Sequence, residues 1–129
     1  MDYKVLIDTC HKGDSMGDNR DKVIYVSGLY TTGDISENIA LARKYAIKIW
    51  EEGFTALTPH LNTAHFEEDC SCMYSDYIDG DIVLVNRCDG VFMLPNWELS
   101  NGARIERDHA KSCGFPVFES WENLIRYEW

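Results

Sequence analysis

Two short runs of apolar residues constrain the fold of this chain more than any other feature of its sequence. Four consecutive apolar residues occupy the middle of residues 22–27, and a second run fills residues 90–94. Strands that are apolar on both faces are typical of parallel sheets covered by helices on each side. We therefore expect these two segments to be central strands of a parallel sheet.

Helical and strand patterns alternate along the chain. A helix is predicted over residues 36–52, because its apolar side chains recur on one stripe, Ser36 can cap it and Gly53 can end it. Residues 54–58 are predicted to form a second strand, which is followed by a loop over residues 59–62.

The second half of the chain continues this alternation. Residues 67–72 are acidic and irregular. The elements predicted after them are a helix over residues 74–86, the strand over residues 90–94, a helix over residues 101–112 closed by Gly114, a strand over residues 116–118 and a helix over residues 121–127. The pattern predicts a single-domain, three-layer α/β/α sandwich with a mostly parallel, doubly wound (Rossmann-like or flavodoxin-like) sheet of four to five strands.

Length and composition indicate one domain. The chain has 129 residues, of which 45% are hydrophobic, and this is enough to bury one core. We assign residues 22–129 to the domain and residues 1–21 to an N-terminal extension. Within that extension, residues 4–7 can form an edge strand and residues 11–21 a flexible polar loop.

The chain is strongly acidic. Twenty-two Asp and Glu residues outnumber twelve Lys and Arg residues, so the formal net charge is −10. This charge argues against nucleic-acid polymers and anionic membranes as partners, but it permits a small nucleotide in a local pocket. The sequence contains no apolar run of membrane-spanning length, and its first residues do not form a secretory signal. We expect a cytoplasmic protein with a small-molecule ligand.

Cysteine and histidine spacing favours neither disulfides nor a metal site. Five cysteines give an odd count without a regular framework, so we expect reduced thiols. The alternative is a zinc site formed by His60, His65, Cys70 and Cys72, but their spacing does not follow the usual order of zinc ligands. The glycines of residues 28–33 do not complete a dinucleotide-binding fingerprint. We predict no metal and no cofactor.

Three loops are placed to form a ligand site. In a doubly wound sheet, ligands bind outside the carboxyl ends of the strands. This rule selects the loops after Ser27, Thr58 and Leu94, and polar or glycine-rich motifs fall in all three loops. We therefore expect the site at this edge of the sheet.

The segment over residues 94–106 carries the strongest chemical signal. Ser100 can cap a helix there, and Gly102 allows backbone N–H groups to approach an anionic ligand. Glu106 lies about two turns into that helix, where a carboxylate could act as a nucleophile or a base. In the alternative interpretation, Ser100 is only a cap and Glu106 is a solvated residue paired with a nearby cation.

Four segments, in their order along the chain, resemble the nucleoside 2-deoxyribosyltransferase superfamily. They are residues 23–30, 58–60, 88–95 and 97–106. Within this superfamily the chain is most similar to the small proteins of the DUF4406 family, and it also resembles the deoxynucleoside 5′-monophosphate N-glycosidases. The resemblance covers residues 23–117.

The resemblance implies two catalytic carboxyl groups. In the superfamily, the glutamate at the position of Glu106 attacks the anomeric carbon of a nucleoside and forms a covalent glycosyl-enzyme, which water or a second base resolves. An aspartate that is matched here by Asp81 assists departure of the base, with Asp79 as the second choice. From the charge pattern alone, Asp81 could equally be a surface residue of an acidic helix.

This chemistry requires two carboxyl groups in different protonation states. Cleavage of an N-glycosidic bond builds oxocarbenium character that an anion stabilises, while the leaving base needs a proton. One carboxyl group must be ionised and the other must be able to donate. The arrangement resembles a retaining glycosidase, whose carboxyl groups lie roughly 5 Å apart.

The resemblance also favours a nucleoside 5′-monophosphate as the substrate. The serine at the position of Ser100 contacts the phosphate in the monophosphate hydrolases, whereas transferases of free nucleosides tend to have aspartate there. The loop over residues 29–33 lacks the arginine that those hydrolases carry, which weakens the phosphate interpretation. Arg104 could compensate if its side chain reaches the helix cap.

Further candidate binding residues lie in the same three loops. Tyr30 and Trp97 could stack on a base, or either could belong to the core. His60 and Asn62 could hydrogen-bond to a sugar or a base, although a histidine after proline is more often an ordinary loop residue. Glu98 could support the cap or replace the nucleophile. The predicted binding residues are Gly28, Tyr30, His60, Asn62, Trp97, Glu98, Ser100, Gly102 and Arg104.

We expect an enzyme that cleaves the N-glycosidic bond of a nucleoside or nucleoside 5′-monophosphate, as a hydrolase or a 2-deoxyribosyltransferase. The alternatives are a non-catalytic module that binds or senses a nucleotide in the same pocket, and an interaction protein with a vestigial pocket. The resemblance also implies a homodimer or larger homo-oligomer, with Trp121, Tyr127 and Trp129 as a candidate contact surface.

Overall fold

Four parallel strands form the centre of the fold. The computed structural model describes residues 19–129, so the edge strand expected at residues 4–7 and most of the loop over residues 11–21 lie outside the described residues. The strands are β1 (Val23–Ser27), β2 (Thr55–Leu57), β3 (Gly90–Met93) and β4 (Val117–Phe118). Their order in the sheet is β2-β1-β3-β4, and each neighbouring pair is parallel. The predicted parallel α/β fold is confirmed.

Five α-helices flank the sheet in the part of the chain that the structure describes. They are α1 (Ile35–Glu51), α2 (Pro59–Asn62), α3 (Tyr74–Asn86), α4 (Asn101–Ser112) and α5 (Trp121–Arg126). Two short 3₁₀ helices, Phe66–Glu68 and Trp97–Leu99, precede α3 and α4. The predicted bounds of α3 and α4 are confirmed. None of the described helices is long and apolar enough to cross a membrane.

Helices cover both faces of the sheet, because alternate residues of each strand point to opposite sides. On one face, Ile24 and Val26 of β1 belong to a core cluster with residues of α1 and α5. On the other face, Tyr25 belongs to a second core cluster with residues of α3 and α4. The three layers predicted from the apolar runs are therefore present.

Two local predictions are wrong. The N-cap of α1 is Asp34, whose side chain accepts a hydrogen bond from the backbone N–H of Glu37 at 3.1 Å, so Ser36 lies inside the first turn. Aspartate and serine cap helices about equally well, and the sequence offers both. Residues 59–62 form the helical turn α2 rather than a loop, because the fixed φ of Pro59 suits the first turn of a helix.

The switch point of the sheet lies between β1 and β3. The chain passes from β1 through α1 to β2 on one side, and then crosses to β3 on the other side of β1. Topology of this kind opens a crevice at the carboxyl ends of the two strands. Gly28 follows β1 and faces Leu94, which follows β3, and a Cβ at Gly28 would lie 2.7 Å from two atoms of the Leu94 side chain. The absence of a side chain at Gly28 lets the two strand ends approach each other.

Replacing Gly28 with alanine is expected to destabilise the fold by about 1–3 kcal/mol, because Leu94 is buried and cannot move aside without cost. The matched control is Gly80→Ala in α3, where an added Cβ meets nothing within 4 Å. That change should stabilise the protein by up to about 1 kcal/mol, since alanine favours the helical backbone. Urea unfolding followed by circular dichroism measures both changes, and equal stability of the two variants would contradict the prediction.

Candidate active site

A cavity of about 360 Å³ opens at the carboxyl ends of the central strands. The loop after β1, helix α2, the 3₁₀ helix Phe66–Glu68 and helices α3 and α4 contribute to its lining. The residues predicted for the site that lie in this lining are Gly28, Tyr30, His60, Asp81, Ser100, Gly102 and Glu106. The cavity therefore occupies the edge of the sheet where the topology places ligands.

Glu106 is a buried carboxyl group of this cavity. The residue is 5% exposed, and each of its carboxyl oxygens accepts a hydrogen bond. Ser27 Oγ donates to Oε1 at 2.6 Å, and the Tyr25 hydroxyl donates to Oε2 at 2.9 Å. Burial raises the pKa of the Tyr25 hydroxyl well above its ordinary value, so this group stays a donor. Ser27 and Tyr25 alternate along β1, and both therefore point towards α4.

Burial controls the protonation of Glu106. Burial, together with the nearby charge of Asp81, raises the pKa of the Glu106 carboxyl to about 8. The hydrogen bonds from Ser27 and Tyr25 act in the opposite direction, because they favour the carboxylate. The acid form of Glu106 therefore predominates at neutral pH in the free protein.

Asp81 is the partner of Glu106 in the cavity. It lies in α3, lines the cavity and is partly buried. Burial raises the pKa of the Asp81 carboxyl, while hydrogen bonding with Glu106 and Tyr25 lowers it. The nearby charge of Asp81 and the contact between the two carboxyls both raise the pKa of Glu106, so the titrations of the two groups are linked. Asp79, the second choice for this role, is exposed and lies outside the lining.

The amino end of α4 forms one wall of the cavity. Ser100 is the N-cap, and its Oγ accepts a hydrogen bond from the backbone N–H of Ala103 at 3.0 Å. Gly102 is buried, and a Cβ there would lie 3.0 Å from the Ile78 side chain and 3.1 Å from the Tyr74 hydroxyl. Gly102 therefore also permits the close packing of α4 against α3.

His60 is a buried, neutral histidine in the wall of the cavity. The residue is 6% exposed, and its Nε2 lies 2.7 Å from the carbonyl oxygen of Leu29, to which the Nε2–H donates. Its Nδ1 is buried and has no hydrogen-bond partner among the described residues. Burial lowers the pKa of His60, so the ring is neutral at pH 7.

Tyr30 joins two parts of the cavity wall. Its ring packs edge-on against His60, with the ring centroids 5.9 Å apart. Its hydroxyl lies 2.9 and 3.0 Å from the two carboxylate oxygens of Glu67, to which it donates. The same hydroxyl accepts a hydrogen bond from the backbone N–H of His65 at 2.7 Å. These contacts tie the loop after β1 to the 3₁₀ helix before α3.

Three predicted binding residues outside α4 do not line the cavity. Asn62 and Glu98 are exposed. Trp97 packs against the core cluster that faces α3 and α4, and the guanidinium carbon of Arg107 lies 4.8 Å from its ring centroid. Of the two roles considered for Trp97, stacking on a base or packing in the core, its contacts fit the core role.

Arg104 also lies outside the lining, and its side chain is exposed. It stands two positions before Glu106, which places it about 200° around the helix from the buried carboxyl. Because α4 turns Glu106 towards the sheet, it turns Arg104 towards solvent. Arg104 therefore does not supply the cation that a phosphate would require.

Tyr25, Ser27 and Glu67 are among the polar residues of the site that sequence reasoning missed. Tyr25 and Ser27 were assigned only to the core strand, although their alternation on one face of β1 was an available signal. Glu67 lies in the acidic segment that was predicted to be irregular, where no periodicity indicated its direction. The contribution of these three residues to the site follows only from the arrangement of β1, α4 and the 3₁₀ helix in the tertiary structure.

The described residues offer no metal-binding cluster. No group of three or more His, Cys, Asp and Glu side chains in that part of the chain is arranged to hold an ion. His65 Nδ1 lies 3.7 Å from Glu68 Oε1, while His60 Nε2 is hydrogen-bonded to a backbone carbonyl oxygen. Cys70 Sγ accepts a hydrogen bond from the backbone N–H of Cys72, and the described cysteines are free thiols. The zinc alternative finds no support in this geometry.

The fold and the site define a doubly wound α/β protein with a buried glutamate and a partly buried aspartate at the carboxyl edge of its sheet. The family model described as Domain of unknown function (DUF4406) matches residues 22–119, and the chain belongs to this family. The DUF4406 part of the resemblance is therefore confirmed. No curated protein and no solved structure matches the chain.

The raised pKa of Glu106 predicts that stability depends on pH. The carboxyl binds its proton more tightly in the folded protein than in the unfolded chain, so the free energy of unfolding falls as the pH rises from about 4.5 to about 8. The slope from this group is at most about 1.4 kcal/mol per pH unit. Glu106→Gln removes the contribution, and the variant should gain stability relative to wild type as the pH rises. Denaturant unfolding across this range measures the difference, and a difference independent of pH would contradict the assignment.

Proposed function

We propose that this protein cleaves the N-glycosidic bond of a nucleoside or nucleoside 5′-monophosphate, as a hydrolase or a 2-deoxyribosyltransferase. The observation that carries the proposal is the buried Glu106 carboxyl, which is held by Tyr25 and Ser27 and interacts with Asp81. The cavity around this pair has a volume typical of small-molecule sites. The resemblance to the nucleoside 2-deoxyribosyltransferase superfamily supports the same roles for the two carboxyls.

The first step uses the proton that the carboxyl pair holds. In the reactive form, this proton resides on Asp81 and Glu106 is ionised. A Glu106 oxygen attacks the anomeric carbon, the bond from that carbon to the base nitrogen breaks, and its electron pair leaves with the base. Asp81 donates its proton to the departing base. The products are the free base and a glycosyl ester of Glu106.

The second step restores the site. A water molecule, or a nitrogen of an incoming base, attacks the anomeric carbon, and the bond to Glu106 breaks. Asp81 takes the proton that the attacking group loses, so the pair again holds one proton. The hydrogen bonds from Tyr25 and Ser27 stabilise the carboxylate that leaves in this step.

A non-catalytic nucleotide-binding module is the second candidate. The observation that favours it is the pKa of Glu106 of about 8, because a protonated carboxyl donates a hydrogen bond but does not attack carbon. In that case the cavity binds its ligand and releases it unchanged. The expected homo-oligomer and cytoplasmic location stay predictions under either function.

Release of free base tests catalysis directly. The protein is incubated with ribonucleosides, deoxyribonucleosides and their 5′-monophosphates, with and without an acceptor base, and the free bases are separated by chromatography. We expect release by the wild type and a loss of at least about a thousandfold in Glu106→Gln, since the neutral amide cannot serve as the nucleophile.

Glu98→Gln is the matched control for this experiment. Glu98 is an exposed acid in the segment before α4 and does not line the cavity, so its variant should retain the wild-type rate. Undiminished release by folded Glu106→Gln would exclude the nucleophilic role. Ligand binding without any release by the wild type would favour the binding module.

Asp81→Asn is expected to slow base release by about 10²–10⁴-fold, because the leaving base loses its proton donor. Asp79→Asn is the control, since Asp79 is exposed on the same helix and lies outside the lining. The wild-type rate should fall above about pH 8, where the pair loses its shared proton, and this decline should be absent from Asp81→Asn. Similar pH–rate profiles of Asp81→Asn and the wild type would argue against the proton-donor role.

A further inference from the structure

We propose that the cavity takes an unphosphorylated nucleoside in preference to the corresponding 5′-monophosphate. This inference rests on the proposed function and deepens it by naming the substrate class. It also reverses the expectation, based on Ser100 in the sequence, that the substrate is a 5′-monophosphate. The charges and the hydrogen-bonding groups that line the cavity are the reasons.

The charged side chains of the lining are acidic. Glu67, Asp81 and Glu106 line the cavity, and none of the lining residues in the described part of the chain is lysine or arginine. One proton shared by Asp81 and Glu106 still leaves negative charge on the wall. A phosphate monoester carries about −1.5 to −2 charges at pH 7. Its entry into this cavity would therefore be opposed by electrostatic repulsion.

The histidine of the lining does not favour an anion. His60 is neutral at pH 7, because burial lowers its pKa, and so it adds no positive charge. Its Nε2–H already donates to the carbonyl oxygen of Leu29, and its buried Nδ1 carries no proton, so the ring offers no donor to a phosphate oxygen.

The arginines of α4 do not offset the acidic lining. Arg104 is exposed outside the cavity, and Arg107 contacts Glu119 at 2.8 Å and Asp108 at 3.1 Å. The positive end of the α4 dipole corresponds to about half an elementary charge. Ser100 already accepts a hydrogen bond from one of the N–H groups at that end. The helix end therefore only partly compensates the carboxylates.

Glu67 is the acidic group that can be changed without altering the carboxyl pair. The Tyr30 hydroxyl holds its carboxylate through contacts of 2.9 and 3.0 Å. In Glu67→Gln, the side-chain carbonyl can still accept from Tyr30, so the variant removes the charge and keeps the contact. Glu68→Gln is the matched control, because Glu68 is exposed beside it and lies outside the lining.

The test compares kcat/KM for each active nucleoside with that for its 5′-monophosphate. We expect the wild type to favour the nucleoside by at least about tenfold, through repulsion of the phosphate. Glu67→Gln should reduce this ratio by about threefold or more, chiefly by raising kcat/KM for the monophosphate. Glu68→Gln should leave the ratio unchanged. Preferred turnover of the monophosphate, or a ratio that Glu67→Gln does not move, overturns the inference.

Binding measurements separate failure of this inference from failure of the proposed function. When no compound releases its base, the proposed function fails, and isothermal titration calorimetry of the wild type with the same nucleosides and 5′-monophosphates still tests the charge preference. Tighter binding of the nucleosides supports the inference. Equal or tighter binding of the monophosphates, or no binding of either class, overturns it.

Discussion

The site depends on one contact, in which the Glu106 carboxyl of α4 is buried against Tyr25 and Ser27 of β1. Burial of a carboxyl is costly unless its oxygens are hydrogen-bonded, and here each oxygen has its own hydroxyl donor. The donors face α4 because alternate residues of a strand share a face. A shift of β1 by one residue would present Ile24 and Val26 to the carboxyl and remove both donors. The placement of α4 across the sheet is thus coupled to the chemistry of the cavity.

Burial and hydrogen bonding act in opposite directions on this carboxyl. Burial raises the pKa of Glu106 to about 8, whereas the two hydroxyl donors favour its ionised form. Asp81 completes a pair of linked carboxyls, in which burial raises the pKa of each group. If both carboxyls were solvated, both would ionise and no proton would remain for a leaving base. The partial burial of the pair therefore keeps an acid and a base available at the same pH.

The topology of the sheet assembles the remaining walls from distant parts of the chain. The loop after β1, helix α2 and the 3₁₀ helix before α3 meet through Tyr30, His60 and Glu67. Glu67 adds negative charge to this wall, while the arginines of α4 lie outside the lining. The proposed preference for an uncharged ligand follows from this charge distribution.

The sequence alone was sufficient to predict the parallel sheet, the bounds of α3 and α4, and the Ser100 cap, because apolar runs, helical periodicity and capping are local properties. It also identified Glu106 as a candidate, through its spacing from that cap and a family resemblance. The packed fold was needed to show that Asp81 rather than Asp79 lines the cavity, and that Arg104 faces solvent. Successive residues of a helix point about 100° apart. Which of them meets a cavity therefore depends on how the helix is rotated, and that rotation is set by packing against residues far away in the chain.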